Sequence, residues 1–482
     1  MTQLQTRPSG EDPEAPGASG TSRTWIDRFF DLTGRGTTVA REVRGGITTF
    51  VAVAYIILLI PIILSGAKDV TGAAMTIPQL TTAVALSAAI TTILMGLVGN
   101  APFALASGLG IAPVVAFQAA PHMTWNQAMG LVVLEGAVIV LFALTGIRQL
   151  IMDAIPTPLK HAIGVGIGMF IALIGLVDAG FVGRGEGTVV TLGTGGRLSG
   201  WPIVVFCVGL LLMFALFVRR IPGAILIGIV AATVLAIVIN ALVDGVKWPG
   251  VVTPELPERI VSTPDFSLLF DVDLFGGFGA AGVLTATVVL FTLVLSGFFD
   301  AMGTILGVGE EAGLADEQGR IQGVGRILTI DGFGAVIGGV TGGSANTIVV
   351  ESAAGVGEGA RTGLAGLVTG ALFAGAMFLT PLAAVVPAQA AAPALVLVGA
   401  LMMTAARKIE WDDIDLAIPA FLTIALMPFT YSITNGVGAG VIAYTVIKAA
   451  RGRFDQIHWL LWVISAIFVG YFGIGAIEQL LG

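Results

Sequence analysis

The chain has 482 residues, 56% hydrophobic and only 11% charged, with a formal net charge of −8; soluble domains carry about 25% charged residues, so an ordinary water-soluble fold is excluded and the lipid bilayer is the expected surrounding. No basic stripe marks a nucleic-acid partner, and Gly277-Phe-Gly279-Ala-Ala-Gly282, which fits a dinucleotide fingerprint by spacing, lacks the preceding strand and reads as a chance match. One cysteine, Cys207, and three dispersed histidines, His122, His161 and His458, exclude a disulfide framework and speak against a Cys/His metal site.

Residues 1–24 are rich in Pro, Gly, Ser and Glu and lack an apolar stretch, which predicts a disordered tail and not a cleaved signal peptide. Beyond it, runs without Asp, Glu, Lys or Arg extend from Val70 to Leu134, from Thr362 to Ala406 and from Leu416 to Ile447. A membrane helix needs roughly 20 apolar residues, and fewer where it is broken in mid-membrane. On that rule the first seven spans fall near 47–67, 78–98, 103–118, 125–146, 160–180, 202–218 and 222–242. A polar loop over 244–273 follows. The second seven fall near 279–306, 327–341, 345–358, 363–386, 392–406, 416–432 and 436–449, and the apolar stretch from His458 to Leu481 is a further span or an interfacial helix.

Lys and Arg near membrane ends mark the cytoplasmic side. Arg28, Arg35, Arg41 and Arg44 precede the first span, so the N-terminus is expected to be cytoplasmic. Alternation then places Arg148, Arg219, Arg220, Arg361, Arg407, Lys408, Lys448 and Arg451 on the same side. An odd number of spans per half makes the second half enter the membrane in the opposite sense, the plan of an inverted repeat. The expected fold is an all-α polytopic membrane protein of 14 segments in a 7+7 inverted repeat.

Such folds bind substrate where short, Gly- or Pro-interrupted segments occupy matching places in the two halves. Both halves contain one: Ala104 to Pro113, with Gly108, Gly110 and Ala112, and Thr341 to Thr347, with Ser344 and Asn346. Just after the second lies Glu351, alone in an otherwise uncharged run. A charge at membrane depth costs at least about 2.5–3.5 kcal/mol, which makes Glu351 the first candidate for a functional role.

The chain resembles the nucleobase–cation symporter-2 (xanthine/uracil permease) family and, within it, the AzgA-like branch carrying hypoxanthine, guanine and adenine. The likeness spans about Ile47 to Arg453. It rests on Thr48-Thr-Phe-Val-Ala-Val-Ala-Tyr-Ile, Pro102-Phe-Ala-Leu-Ala, Phe299-Asp300-Ala-Met-Gly303-Thr304, the run from Glu351 through Glu358 and Arg361 to Gly363, and the run from Ile418 to Ser432. The resemblance implies a core domain of spans 1–4 and 8–11 (25–159 and 274–388), a gate domain of spans 5–7 and 12–14 (160–243 and 389–453), and an extracytoplasmic loop over 244–273. It also implies short strands in spans 3 and 10 and a homodimer, with 454–482 left as a C-terminal apolar helix. Its members are typically proton-coupled importers of the inner membrane. Glu351 matches the acidic residue of span 10 that holds the base, and Asp300 an acidic residue of span 8. Where purine carriers of this branch usually have Asp and Asn in the site, this chain has Gly297 and Ala112.

A carboxylate accepts two N–H donors from one edge of a planar base, so Glu351 is the expected substrate ligand. Asp300, with Glu351, is the candidate for proton coupling; its alternative is to stiffen the core. Ser344, Asn346 and Thr347 offer hydroxyl and amide groups to substrate or to irregular backbone. Glu135 is expected as a structural or relay partner, Asp178 as a residue reaching the interface and Asp331 as the N-cap of span 9. Phe298 and Phe299 are candidates for stacking, with lipid or core packing as the plainer role. The expected function is proton-coupled uptake of a purine-like nucleobase or related planar heterocycle. The alternatives are a uracil, xanthine or small-anion carrier on the same plan, and from other classes a channel or a membrane enzyme. The spans near the site supply acids and no Lys or Arg, which argues against an anion carrier.

Overall fold

The computed structural model describes residues 24–145, 154–185, 187–250, 252–314, 321 and 323–481. The predicted tail, up to residue 23, and Arg148 lie outside them. The first half runs α1 (Trp25–Phe30), α2 (Val39–Val53), α3 (Ile56–Ser65), α4 (Ile77–Leu94), β1 (Leu105–Ser107), α5 (Trp125–Thr145), α6 (Thr157–Asp178), a small ribbon of β2 (Val182–Gly183) and β3 (Thr191–Leu192), α7 (Trp201–Val218) and α8 (Ala224–Leu242). The second half runs α9 (Val283–Glu311), α10 (Val324–Thr341), β4 (Asn346–Ile348), α11 (Ser352–Gly357), α12 (Gly363–Ala376), α13 (Ala388–Met402), α14 (Ile414–Phe429) and α15 (Ile433–Ala450), and α16 (Trp459–Leu481) ends the chain.

Among the described residues, 11 helices are long and apolar enough to cross a membrane. The shorter apolar α14 and two broken segments, β1 with the turn after it and β4 with α11, complete the 14-span inverted repeat. The stretch after His458 is a 23-residue helix packed on α15 and α9, with Leu461 and Phe468 buried.

The first span begins earlier than its hydropathy suggests. Helix α2 starts at Val39, capped by the Thr38 hydroxyl, and takes Arg41, Glu42 and Arg44 into its first turns. Glu42 is fully buried yet satisfied: its carboxylate accepts the backbone N–H groups of Arg361 (2.8 Å), Thr362 (3.3 Å) and Ala365 (3.3 Å) ahead of and within the first turn of α12. A carboxylate at a helix start meets unpaired donors and the positive end of the dipole, so its burial is compensated.

Helix pairs close on small residues, because lipid provides no hydrophobic drive and close backbone approach must supply the attraction. A Cβ on Gly136 of α5 would stand 2.6 Å from the Gly332 carbonyl of α10, and one on Gly168 of α6 would stand 2.9 Å from the Gly399 carbonyl of α13. Helices α2, α4, α5, α9, α10 and α12 pack chiefly on one another, as do α6, α7, α8, α13, α14 and α15.

Candidate substrate site

Two three-residue strands hold the site together. β1 and β4 pair antiparallel in the register Leu105↔Ile348, Ala106↔Thr347 and Ser107↔Asn346. All six residues are buried, so every strand donor and acceptor beyond this ladder needs a partner. Thr92 of α4 supplies both to Leu105, donating to its carbonyl (2.9 Å) and accepting its N–H (3.0 Å). The Ala104 N–H reaches the Ser352 hydroxyl (3.0 Å), the Gly108 N–H reaches the Ala345 carbonyl (2.9 Å), and the Ser107 hydroxyl donates to the Gly343 carbonyl.

Where β4 gives way to α11 the chain presents Glu351. It stands at the N-cap of α11 but makes no capping bond there. Instead the hydroxyl of Tyr55, a fully buried residue at the break between α2 and α3, donates to Glu351 Oε1 at 2.6 Å. Glu351, Asp300 and Thr347 all line one cavity of about 1360 Å³, together with Ser296, Ser107 and Gly108. Asp300 is exposed there. Thr48, Lys160, Arg220, Glu358 and Thr404 also line the cavity. Two basic residues therefore do reach the cavity wall, correcting the expectation of acids alone. They sit at the start of α6 and just beyond α7, at helix ends.

A polar and an aromatic contact latch the two halves together. Gln118 Oε1, on the π-helical turn Val115–Ala119, accepts from the Ser432 hydroxyl (3.3 Å), the Thr434 N–H (3.2 Å) and the Thr434 hydroxyl, whose oxygen is also 2.9 Å from Thr292 Oγ1. Tyr431 closes edge-on against Phe117 and Phe170, with ring centroids 5.4 and 5.2 Å away.

The remaining sequence candidates do not face the cavity. Asn346 is held by α4, its amide donating to Thr91 Oγ1 (3.1 Å) and its carbonyl oxygen accepting from Ser87 (3.3 Å). Ser344 is buried in a left-handed turn (φ 69°) that shapes the chain before β4. Ala112 is buried in the one-turn helix Ala112–Val114. Gly297 turns toward α5, where a Cβ would come within 2.6 Å of Glu135 Oε1. Phe298 is buried in α9; the Phe299 side chain lies outside the description.

Asp331 is not an N-cap: α10 starts a full two turns earlier at Val324, with Gly323 before it. From mid-helix its Oδ1 accepts the Thr347 hydroxyl and the Ile348 N–H, both at 3.0 Å, and so ties α10 to β4. Asp178 is the last residue of α6, half-buried, as its place in the chain suggests. Tyr55 and Ser296 were not foreseen. Tyr55 lay in plain view as a phenol inside an apolar run, a polar handle that needs a partner when buried.

Two interlocked halves, paired broken spans and a cavity that holds Glu351 and Asp300 define a multi-pass membrane carrier. The chain belongs to the xanthine/uracil permease family: the sequence profile of this permease family matches residues 40–438. The guanine/hypoxanthine permease PbuG of Bacillus subtilis is 36% identical over 453 residues, 92% of this chain and 98% of that one. The adenine permease AdeP of Escherichia coli is 35% identical over 448 residues, 92% and 95% of the two chains. In fold, the chain is similar to the transmembrane domain of a cyanobacterium bicarbonate transporter, BicA, with a TM-score of 0.60 over 83% of this chain and 97% of that one at 17% identity.

Proposed function

We propose that this chain imports a purine-type nucleobase, or a closely related planar heterocycle, together with a proton, across the cytoplasmic membrane by alternating access. The observation that carries the proposal is the Tyr55–Glu351 pair at the cavity wall, with Asp300 beside it. A tethered carboxylate is suited to the adjacent N–H donors on one edge of a nucleobase, and the relatives named above are permeases of guanine, hypoxanthine and adenine. Asp300 and Glu351 are the proposed proton-coupling groups. The cavity exceeds the ~300–1,000 Å³ of ordinary ligand pockets, as a binding site joined to its access path would.

Arg35 donates to the Asn100 and Arg361 carbonyls, and Arg44 pairs (2.9 Å) with Glu358, which lines the cavity. This favours a cytoplasmic N-terminus and a cavity open to the inside. The set α2, α4, α5, α9, α10 and α12 would act as the core (25–159 and 274–388). The set α6–α8 and α13–α15 would act as the gate (160–243 and 389–453), with the site between them. A homodimer belongs to the same proposal; its measurement is the mass of the detergent-free particle.

The test is uptake of labelled guanine, hypoxanthine and adenine into proteoliposomes with and without an imposed inward-acid pH gradient. Gradient-driven accumulation that Glu351→Gln abolishes is the expected result. Accumulation insensitive to the gradient ends the proton-coupling reading, and wild-type transport by Glu351→Gln ends the assignment of the site.

A further inference from the structure

Buried acids in this molecule are otherwise well provided for. Glu42 takes three backbone N–H groups, Asp69 takes bonds from Thr71, Ala73 and Trp125, Asp331 binds Thr347 and Ile348, and Asp415 pairs with Lys448, Arg451 and Arg453. Glu135, in the middle of α5, is fully buried, and neither carboxyl oxygen has a hydrogen-bond partner. An ionised carboxylate in that state is costly, so the proton is given up only in passing and taken back.

The carboxyl has a defined position. The Gly136–Gly332 contact brings α5 against α10 and sets Glu135 next to Asp331, whose charge it senses. On its other side lies Gly297 of α9, where any side chain would collide with Oε1, and Ile111 and Ile139 also close on the place a Cβ would take. On α9, the neighbouring Ser296 and Asp300 stand on the cavity wall. Asp331 in turn interacts with Asp300, and Asp300 with Glu351. Four acids from four segments, Glu351 and Asp300 on the cavity wall, Asp331 bound to β4 and Glu135 behind Gly297, are therefore gathered around the inner side of the cavity. The titratable groups facing Glu135 are acids: Asp331 from α10 and, beyond it, Asp300 from α9; no cation among the described residues faces it.

We propose that Glu135 is a second proton-binding site of this carrier, lying behind the substrate cavity and made accessible by the absence of a side chain at Gly297. The inference rests on the proton-coupled reading above. In it, the Glu135 carboxylic acid releases its proton to the Asp331 carboxylate, which exchanges it with Asp300 at the cavity, and the reverse steps reload it. Glu135 then stores a proton while Glu351 and Asp300 handle substrate, and Asp331 acts as the relay through its fixed place beside Thr347.

The experiment combines two readouts on purified full-length protein. In difference infrared spectra recorded across a pH titration, the wild type should show a carboxylic-acid C=O band that titrates and is missing in Glu135→Gln. Gly297→Ala, which pushes the carboxyl aside without removing it, should move that band. Acid bands identical to wild type in Glu135→Gln overturn the proposal. In proteoliposomes, Glu135→Gln should lose at least ten-fold in pH-gradient-driven accumulation of guanine or adenine while keeping counterflow exchange. Unchanged accumulation with an unchanged pH profile overturns the proposal and leaves the transport function standing. A wild type indifferent to the gradient ends the proton-coupling reading instead, and the infrared band then decides on Glu135 by itself.

Discussion

Replacing Tyr55 by Phe removes one hydroxyl and leaves the shape of the buried ring unchanged. That hydroxyl donates to Glu351 Oε1 at 2.6 Å, and Tyr55 has no exposed surface, so no solvent takes its place. If Tyr55 acts by holding the carboxylate in one orientation, its loss returns the ordering cost of one flexible side chain, about 0.5–1.5 kcal/mol. At about 1.4 kcal/mol per factor of ten, nucleobase affinity should fall roughly 2- to 12-fold. Glu351→Gln removes the charge-assisted bonds themselves, about 1.5–3 kcal/mol, and should weaken binding roughly 10- to 150-fold. The double variant should bind no worse than Glu351→Gln to within about 0.5 kcal/mol, because Tyr55 has nothing left to orient. Calorimetric titration of guanine or adenine into the purified wild type and three variants closes this cycle. Additive losses, or a larger loss in Tyr55→Phe than in Glu351→Gln, would refute the reasoning, since either would mean that Tyr55 acts on substrate independently of Glu351.

Three further outcomes are expected. Thr434→Val deletes the hydroxyl shared by Gln118 and Thr292, about 1–3 kcal/mol of closure, and should raise thiol labelling of Ala120→Cys in a Cys207→Ser background roughly 5- to 150-fold; an unchanged labelling rate counts against the latch. Burial alone would raise the Asp69 pKa, but hydrogen bonds from the Thr71 hydroxyl and the Ala73, Thr71 and Trp125 N–H groups outweigh it and hold it below the usual carboxylate value. Its contribution is therefore present above the unfolded pKa of about 3.9 and is lost as pH falls through the lower folded value. Asp69→Asn should lower thermal stability at pH 7 by about 1–3 kcal/mol and flatten the acid limb of the stability curve, so a parallel acid limb speaks against it. Gly399→Ala drives a methyl to 2.4 Å from the Gly168 carbonyl and should destabilise the protein by about 1–3 kcal/mol, read by thermal unfolding in detergent; a wild-type transition would show that α6 and α13 can separate freely.

Much of the fold was legible because a bilayer imposes a one-dimensional rule: each span must be apolar over a set length, and its ends carry charge according to side. The rule failed locally where a polar group found a distant partner. Glu42 belongs to the first span because the N–H groups of Arg361, Thr362 and Ala365, over 300 residues on, receive it. Asp331 was expected to open span 9, but the helix starts at Val324, and only the position of β4, which hands it Thr347 and Ile348, gives this mid-helix acid its partners. Within the candidate site, Glu351 and Asp300 could be singled out by the rarity of acids at membrane depth. The broken segments were equally visible from their Gly and Pro content, but which of their side chains turn to the cavity was not, since strand register and not composition separates Thr347 from Asn346.

The sequence by itself determined the lipid surroundings, the 14 spans, their inverted arrangement and the acids worth watching, because hydrophobic length and charge placement are properties of single segments. The tertiary structure alone decided what those acids meet. Tyr55 tethers Glu351 across 296 positions of chain, α4 occupies Asn346, and Gly297 makes room for Glu135. Each depends on contacts between segments far apart in the chain, where close packing and hydrogen-bond geometry leave no local trace.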